Sequence, residues 1–340
     1  MPYFLLLYPE CIARLAISSQ PYSEGVIFVS LELSIITPCF NEVKTVENCA
    51  ERVAYVLAKE LPDVKYEHIF ADNASTDGTV DVLKEIARND ARVKIVVNSR
   101  NIGPFRNIYH AMSKAKGRAI IPMLPADLQD PVEVIPEFYK LWQSGYLVVY
   151  GERTNRQESR MMRLTRNIYY RIIRRFADTE IPLNAGEFML IDSKVSTNIL
   201  ALDDYYPYIR GLVAQSTSKS ATVKYTWGRR EQGYSKANLV NLFDQAINGL
   251  ISTSKIPARI ALFGGFIVSG IGFFLGIVSL TLTLLNPAST QKGIPTLIVG
   301  FFIVSGIQLF FLGLIGEYIL SIHSQVRRQP RVFDTEVINF

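Results

Sequence analysis

Two long uncharged runs limit what this chain can fold into more than any other feature. Ile260–Leu285 holds 26 consecutive residues without a charge, and Gly293–Gly316 another 24. At the rise of an α-helix each run extends roughly 36–39 Å, enough to cross a hydrocarbon core of about 30 Å. The connection Asn286-Pro287-Ala288-Ser289-Thr290-Gln291-Lys292 is short and turn-forming, so 257–320 is read as an antiparallel hairpin of two transmembrane helices. Lys255 and Arg259 flank its start and Arg327, Arg328 and Arg331 its end, with only Lys292 on the far side. That bias places both termini and the large preceding module in the cytoplasm, on an integral protein of the cytoplasmic (inner) membrane. The tail 321–340 is expected to be cytoplasmic.

The rest of the chain has a different character. Hydrophobic residues make up 49% and charged residues 20% of the 340, and the mean hydropathy of +0.16 owes its excess to the two runs. That composition excludes a disordered chain. Three cysteines, Cys11, Cys39 and Cys49, give no disulfide framework, and three scattered histidines give no zinc site. Residues 1–30 are read as an N-terminal extension: Phe4-Leu5-Leu6-Leu7-Tyr8 is too short to span a membrane, and no basic residue precedes it.

From Leu31 onward β-rich and helix-like segments alternate. Strands are expected at Leu33–Thr37, His68–Ala71, Val93–Val97, Ala119–Met123 and Leu147–Tyr150. Helices are expected at Val43–Lys59, Thr79–Arg88, 104–115 and Val132–Gln143. This alternation predicts an α/β domain, a mainly parallel, Rossmann-like sheet with helices on both faces. Ligands in such sheets sit beyond the carboxyl ends of the strands, and polar residues collect there. Strand one runs into Pro38-Cys39-Phe40-Asn41-Glu42, strand two into Asp72 through Thr79, and strand four into Pro125-Ala126-Asp127-Leu128-Gln129-Asp130-Pro131. Each loop alone has an ordinary reading as turn and helix-cap chemistry, Ser75 or Asp77 capping the next helix. No Gly-x-Gly-x-x-Gly follows strand one and no Gly-Lys-Ser/Thr loop exists. A nucleotide would then be held by base and ribose, its diphosphate neutralised by a metal.

These segments, with Arg100-Asn101-Ile102-Gly103, Gly151-Glu152-Arg153, Asn184-Ala185-Gly186-Glu187-Phe188 and Arg230-Glu231-Gln232-Gly233-Tyr234-Ser235-Lys236, resemble the signature series of family-2 glycosyltransferases of GT-A fold. With the terminal hairpin, the chain from about Leu31 to Pro330 is similar to the polyprenyl-phosphate branch, which includes dolichyl-phosphate mannose synthases and bacterial undecaprenyl-phosphate glucosyltransferases. The resemblance implies a nucleotide-sugar donor whose nucleoside is held by Pro38, Phe40, Glu42 and Asp72. It also implies a Mg2+ or Mn2+ ion on Asp127 and Gln129. Two departures stand out: Pro125 replaces a customary second aspartate, and Asn73-Ala74 replaces Asp-Asp or Asp-Gly. Asp130 is read as a cap for the helix after Pro131 rather than a catalytic group.

The acceptor side is basic. Residues 152–176 carry eight arginines against two glutamates, a balance of +6 in a chain whose total is +5. Apolar residues Met161, Leu164, Ile168, Ile172 and Phe176 recur every three or four positions, as in an amphipathic helix near 158–176 lying on anionic membrane lipids. A solvated basic face packed on the sheet is the simpler alternative. No recognition motif accompanies the arginines, so nucleic acid is not an expected partner. With the GT-A domain taken as 31–235, a second amphipathic run at 236–256 leads into the hairpin. Arg230, Ser235 and Lys236 stand just before it, placed to grip a lipid phosphate; phospholipid anchoring is the alternative. Arg153 and Arg230 join Asp127 as the expected catalytic groups.

A phosphate monoester, with a second pKa of about 6, is already largely dianionic at neutral pH and needs no general base. The expected reaction is therefore inverting transfer of a hexose, with a UDP-linked glucose first in line, to polyprenyl (undecaprenyl) phosphate. Transfer to a lipid hydroxyl such as diacylglycerol, with Asp130 or Glu187 as base, and a catalytically inactive membrane scaffold remain alternatives. The exposed faces of a two-helix hairpin allow a homo-oligomer.

Overall fold

The computed structural model describes residues 31–154, 185–228, scattered positions between 263 and 285, 294–326 and 333–340. The basic segment 158–176 and the run 236–256 lie outside the described residues, as do Arg230, Ser235 and Lys236.

The alternation of the first half produces β1 (Leu33–Cys39), α1 (Val46–Glu60), β2 (Tyr66–Asp72), α2 (Thr79–Asn89), β3 (Val93–Asn98), α3 (Pro104–Met112), β4 (Ala119–Ile121), α4 (Ile135–Gln143) and β5 (Val148–Thr154). There follow β6 (Ala185–Asp192), α5 (Ser193–Ala201), α6 (Ile209–Ser216), β7 (Ser220–Thr226), α7 (Ile294–Val326) and β8 (Asp334–Ile338). The eight strands form one sheet in the order β7-β5-β6-β4-β1-β2-β3-β8. β4, β1, β2 and β3 are parallel neighbours, β7 is parallel to β5, and β6 and β8 run antiparallel. This is the α/β, mainly parallel sheet expected, and all five strands of the first half fall where the apolar pattern puts them.

The central strands are apolar throughout because both faces are covered. One face packs Leu33, Ile35, Phe70 and Ile95 against Val53, Leu57 and Leu83 of α1 and α2, with Phe138 and Phe188 further along. The other packs Ile36, Ile69, Val96 and Ile191 against Ile108 and Met112 of α3 and Ile199 and Val213 of α5 and α6. His68 belongs to the first of these faces, beside Phe70: burial lowers its pKa to about 3, and its neutral ring lies 2.8 Å from the Thr37 hydroxyl.

The direction of the strands decides where the chain's ends lie. β1 to β5 and β7 all end at one edge, the carboxyl edge. β6 starts there, since Ala185 pairs with Glu152, and descends to Asp192 beside Ala119 at the opposite edge. α5 climbs back, so the loop 202–208 returns to the carboxyl edge.

The tail is more than an appendage. After α7 the chain re-enters the sheet: Ser99 N–H donates to Phe333 O at 2.8 Å, and β8 pairs antiparallel with β3 from Asn98↔Asp334 to Ile95↔Ile338. Asp334 is held by His110 Nε2 at 2.5 Å and Lys114 Nζ at 2.9 Å. The Asn339 amide donates to Ala87 O and Val93 O. α7 is 33 residues long, runs to Val326 and is the one helix among the described residues long and apolar enough to cross a membrane.

Burial raises the Asp334 carboxyl, but the hydrogen bonds from Lys114 and His110 outweigh it and hold the group below the usual carboxylate range. A lowered folded-state pKa gives stability that is present above the unfolded value of about 3.9 and is lost as pH falls through the folded one. Asp334→Asn is therefore expected to weaken β8 by about 1 kcal/mol at neutral pH. Hydrogen exchange of residues 333–340 should speed up roughly fivefold at pH 7, and the difference from the parent should vanish only as pH falls through the lowered carboxyl range.

Candidate functional site

The loops after β1, β2 and β4 meet at the carboxyl edge, and the first two are stitched together. Asn41 N–H donates to Ser75 Oγ at 2.8 Å, Glu42 N–H to Thr79 Oγ1 at 2.9 Å and Val43 N–H to Asp77 Oδ2 at 3.2 Å. In return Thr76 N–H donates to Asn41 Oδ1 at 2.8 Å, and Asn73 N–H to Cys39 O at 2.9 Å. Asp77 also accepts the Thr79 N–H at the mouth of α2, although the N-cap position itself is Gly78, which has no side-chain cap. Ser75 instead spends its hydroxyl on the β1 loop.

Three residues in these loops hold left-handed backbone without being glycine: Asn41 at φ 54°, Ala74 at 63° and Leu128 at 53°. Such a conformation costs of order 1–3 kcal/mol and persists where the surroundings impose it. One such residue sits in each loop, so the edge is a built site rather than three ordinary turns.

Asp72 lies at the end of β2, fully buried. Its Oδ1 accepts the Ser75 N–H at 2.9 Å, while its Oδ2 is buried with no hydrogen-bond partner among the described residues. Burial raises its pKa, and the Ser75 hydrogen bonds offset only part of the rise. A buried carboxylate oxygen without a donor suits a ligand hydroxyl or N–H. Pro38 pairs with Ala71 beside it, half-buried Phe40 follows, and the Glu42 carboxylate accepts the Thr45 hydroxyl at 3.0 Å. All four residues expected to hold a nucleoside therefore share one corner.

Asn73, a departure from the family pattern, has a physical role. Its Oδ1 accepts the Ile102 N–H at 2.9 Å and its amide donates to Asn101 Oδ1 at 2.9 Å, fastening the Arg100–Gly103 loop to β2. Asn98 and Asn107 extend this line to Ala71 O.

Asp127 and Gln129 sit half-buried in the β4 loop, with the Gln129 N–H 3.2 Å from Asp127 Oδ1. The Pro125 carbonyl closes the turn by accepting the Leu128 N–H at 3.0 Å. No group of three metal-binding side chains occurs among the described residues. One carboxylate and one carboxamide nevertheless fit a Mg2+ or Mn2+ ion that takes its other ligands from a diphosphate and water.

Asp130 departs from its expected role. The 3-10 turn after Pro131 has no side-chain cap. Asp130 is instead wholly buried and grips Arg153 with both oxygens, Nε to Oδ1 at 3.0 Å and the terminal nitrogen to Oδ2 at 2.7 Å. The Tyr225 hydroxyl donates to the same Oδ1 at 2.5 Å, and the Trp227 ring lies 5.2 Å from the guanidinium. Burial works against the charged guanidinium, but Asp130 beside it wins and raises its pKa. Burial and then Asp130 likewise push the Tyr225 hydroxyl well up. Two glycines make the cluster possible: a Cβ at Gly151 would meet the Tyr225 ring at 2.7 Å, and one at Gly186 would meet the Arg153 guanidinium at 3.0 Å. Arg153 thus stands at the site with its charge already matched.

Glu187 borders the cluster from β6. Burial raises its pKa against the pull of Arg210 and Arg153, and its Oε2 is buried with no partner among the described residues. Gly228, just past β7, donates its N–H to Gln129 O at 2.9 Å and so joins the β7 exit to the Asp127–Gln129 turn.

The sequence profile of glycosyl transferase family 2 matches residues 34–200. The Bacillus subtilis (strain 168) protein named uncharacterized glycosyltransferase YkcC is 35% identical over 88% of this chain and 92% of its own. A Shigella flexneri prophage-derived bactoprenol glucosyl transferase is 30% identical over 88% and 96%. An Escherichia coli (strain K12) prophage bactoprenol glucosyl transferase homolog is 28% identical over 88% and 97%. Among solved structures, a Pyrobaculum calidifontis mannosyltransferase in complex with GDP-Man and Mn2+ is a distant likeness, 15% identical with a TM-score of 0.44 over 88% of each chain.

The Asp130–Arg153 pair sets a measurable cost. Asp130→Asn leaves a buried guanidinium without its counter-charge and is expected to destabilise the domain by about 3 kcal/mol, whereas Tyr225→Phe, losing the hydrogen bond to Asp130 and the one from Arg153, costs about 2 kcal/mol. Urea denaturation curves measure both; equal small losses would show that Glu187 rather than Asp130 compensates Arg153.

Proposed function

The chain belongs to glycosyl transferase family 2, and on that premise we propose that this glycosyltransferase moves a hexose, glucose first, from a UDP-linked donor to polyprenyl (undecaprenyl) phosphate at the cytoplasmic face of the membrane. The observation that carries the reading is the convergence at one sheet edge. The donor loops lie there, Gly228 hydrogen-bonds to Gln129 on the way to the apolar runs, and β8 begins there after α7. The relatives named bactoprenol glucosyl transferases support both the sugar and the lipid.

Each residue has a distinct role in this proposal. Asp72, Glu42, Pro38 and Phe40 hold the nucleoside. Asp127 and Gln129 hold a divalent ion, which when bound neutralises the donor diphosphate. Arg230, Ser235 and Lys236 hold the acceptor phosphate. Arg153, kept straight by Asp130 and Tyr225 and with its charge matched by Asp130, offers guanidinium N–H groups as oriented donors to the leaving group. An oxygen of the lipid phosphate attacks the anomeric carbon from the side opposite the diphosphate. The new carbon–oxygen bond forms as the old one breaks, the diphosphate leaves with the electron pair, and the configuration inverts. No proton has to move, so no base is required.

Transfer to a lipid hydroxyl is the second reading, and one observation keeps it in view. It needs a base, and with Asp130 committed to Arg153 and Tyr225 the group left is Glu187, whose pKa burial has raised.

Purified protein offered labelled UDP- and GDP-sugars with undecaprenyl phosphate, with and without Mg2+ or Mn2+, tests the proposal. One donor should yield a butanol-extractable, mild-acid-labile product in the presence of the ion. No product from any donor, with nucleotide binding intact, would reject the acceptor. Asp127→Asn should lower transfer at least 100-fold. Asp72→Asn should raise the donor KM about tenfold with kcat nearly unchanged, the mark of lost ground-state binding.

A further inference from the structure

The last turn of α7 is hydrogen-bonded to the loop that follows α5. The Tyr205 N–H donates to Gln325 Oε1 at 2.9 Å, and Gln325 Nε2 donates to Asp203 O at 3.0 Å. The apolar window of α7 is Ile303–Leu320, so Gln325 lies five residues beyond it, roughly 7.5 Å along the helix. The polar zone on each side of a hydrocarbon core is about 5–7.5 Å thick. The loop bonded to Gln325 is thereby held at headgroup depth.

What that loop exposes suits the depth. Leu202 is 56% and Tyr206 44% solvent-exposed. The Tyr205 and Tyr206 rings stand edge-on, 4.9 Å apart, and the Arg106 guanidinium from the first turn of α3 lies 4.4 Å from one ring centre and 4.3 Å from the other. Exposed leucine and tyrosine beside a cation are the composition of a membrane interface, where an amphipathic ring has one end apolar and one wet. Asp203 and Asp204 balance Arg106 and Arg210 nearby, so the surface is close to neutral and suits zwitterionic headgroups rather than a polybasic contact.

We infer that the loop Leu202–Tyr208 is a bilayer-contact surface, which seats the carboxyl edge of the sheet, and with it the donor site, against the headgroups of the membrane that α7 crosses. The inference rests on the proposed reading of α7 as a membrane-crossing helix. It gives this edge a fixed height, so that a phosphate at the end of a lipid reaches the donor without leaving the bilayer.

The test places an environment-sensitive fluorophore at Tyr206→Cys in full-length Cys11→Ser protein, where Cys39 and Cys49 are buried. The protein is reconstituted in phosphatidylcholine vesicles containing lipids spin-labelled at the headgroup or near the chain ends. Leu312→Cys, inside the apolar window, is the control, and Leu202→Cys is a second site should Tyr206→Cys not fold. The expected result is blue-shifted emission at 206 or 202, quenched by headgroup label, with 312 quenched by chain-end label. An aqueous, unquenched signal at 202 and 206 beside a quenched 312 overturns the inference and leaves the spanning helix standing. An unquenched 312 overturns the spanning helix and this inference with it.

Discussion

A parallel sheet delivers the carboxyl ends of its strands to a single edge, and in this protein everything else is arranged around that constraint. β1, β2 and β4 end there in the loops that carry Glu42, Asp72 and Asp127. β5 and β7 end there in Arg153 and Gly228, β6 begins there beside Glu187, and β8 re-enters there after α7. The proposed donor site and the exit and return of the long apolar helix are thus neighbours by topology. The antiparallel β8 completes the arrangement, because it brings the chain back to the edge from which it departed.

Within that frame the site is held by polar contacts between distant segments. The β1 and β2 loops lock to each other through Asn41, Ser75, Thr76 and Asp77, and left-handed backbone at Asn41, Ala74 and Leu128 shows how tightly the loops are imposed. On the other side the Asp130–Arg153–Tyr225 cluster ties the β4 loop to β5 and β7. With Pro125 where a second carboxylate is customary and Asp130 paired to Arg153, the β4 side of the site brings one carboxylate, Asp127, to the proposed cation. The site is preorganised, which lowers the cost of ordering at the moment of binding.

Much of this was legible in the sequence. Strands one to five and the three polar loops follow from apolar runs bounded by turn residues, and the glycosyltransferase resemblance rests on those same loops. What escaped depends on partners far along the chain. Asp130 before Pro131 has the local look of a helix cap, while its real partners, Arg153 and Tyr225, lie 23 and 95 residues away. Asn73 reads as a substituted aspartate until Ile102 and Asn101 supply its hydrogen bonds. Asp334-Thr335-Glu336-Val337-Ile338 looks like a charged tail, since an edge strand needs little apolar content and its anchor, His110, is 224 residues distant. β6 and β7 were hidden for a similar reason: the irregular register of β5 against β6 around Gly151, where a Cβ would meet the Tyr225 ring and the Phe188 carbonyl, depends on residues far along the chain.

The central claim is that the acceptor is a phosphate, and that its charge removes the need for a base. The most direct measurement pairs two acceptors of identical chain, undecaprenyl phosphate and undecaprenol, with the same labelled UDP-glucose and divalent ion, and follows product in each. The account predicts glucosyl transfer to the phosphate alone, with the anomeric configuration inverted and the activity retained in Glu187→Gln. Transfer to the free alcohol, abolished by Glu187→Gln, would contradict it and make this site a base-dependent hydroxyl glycosyltransferase.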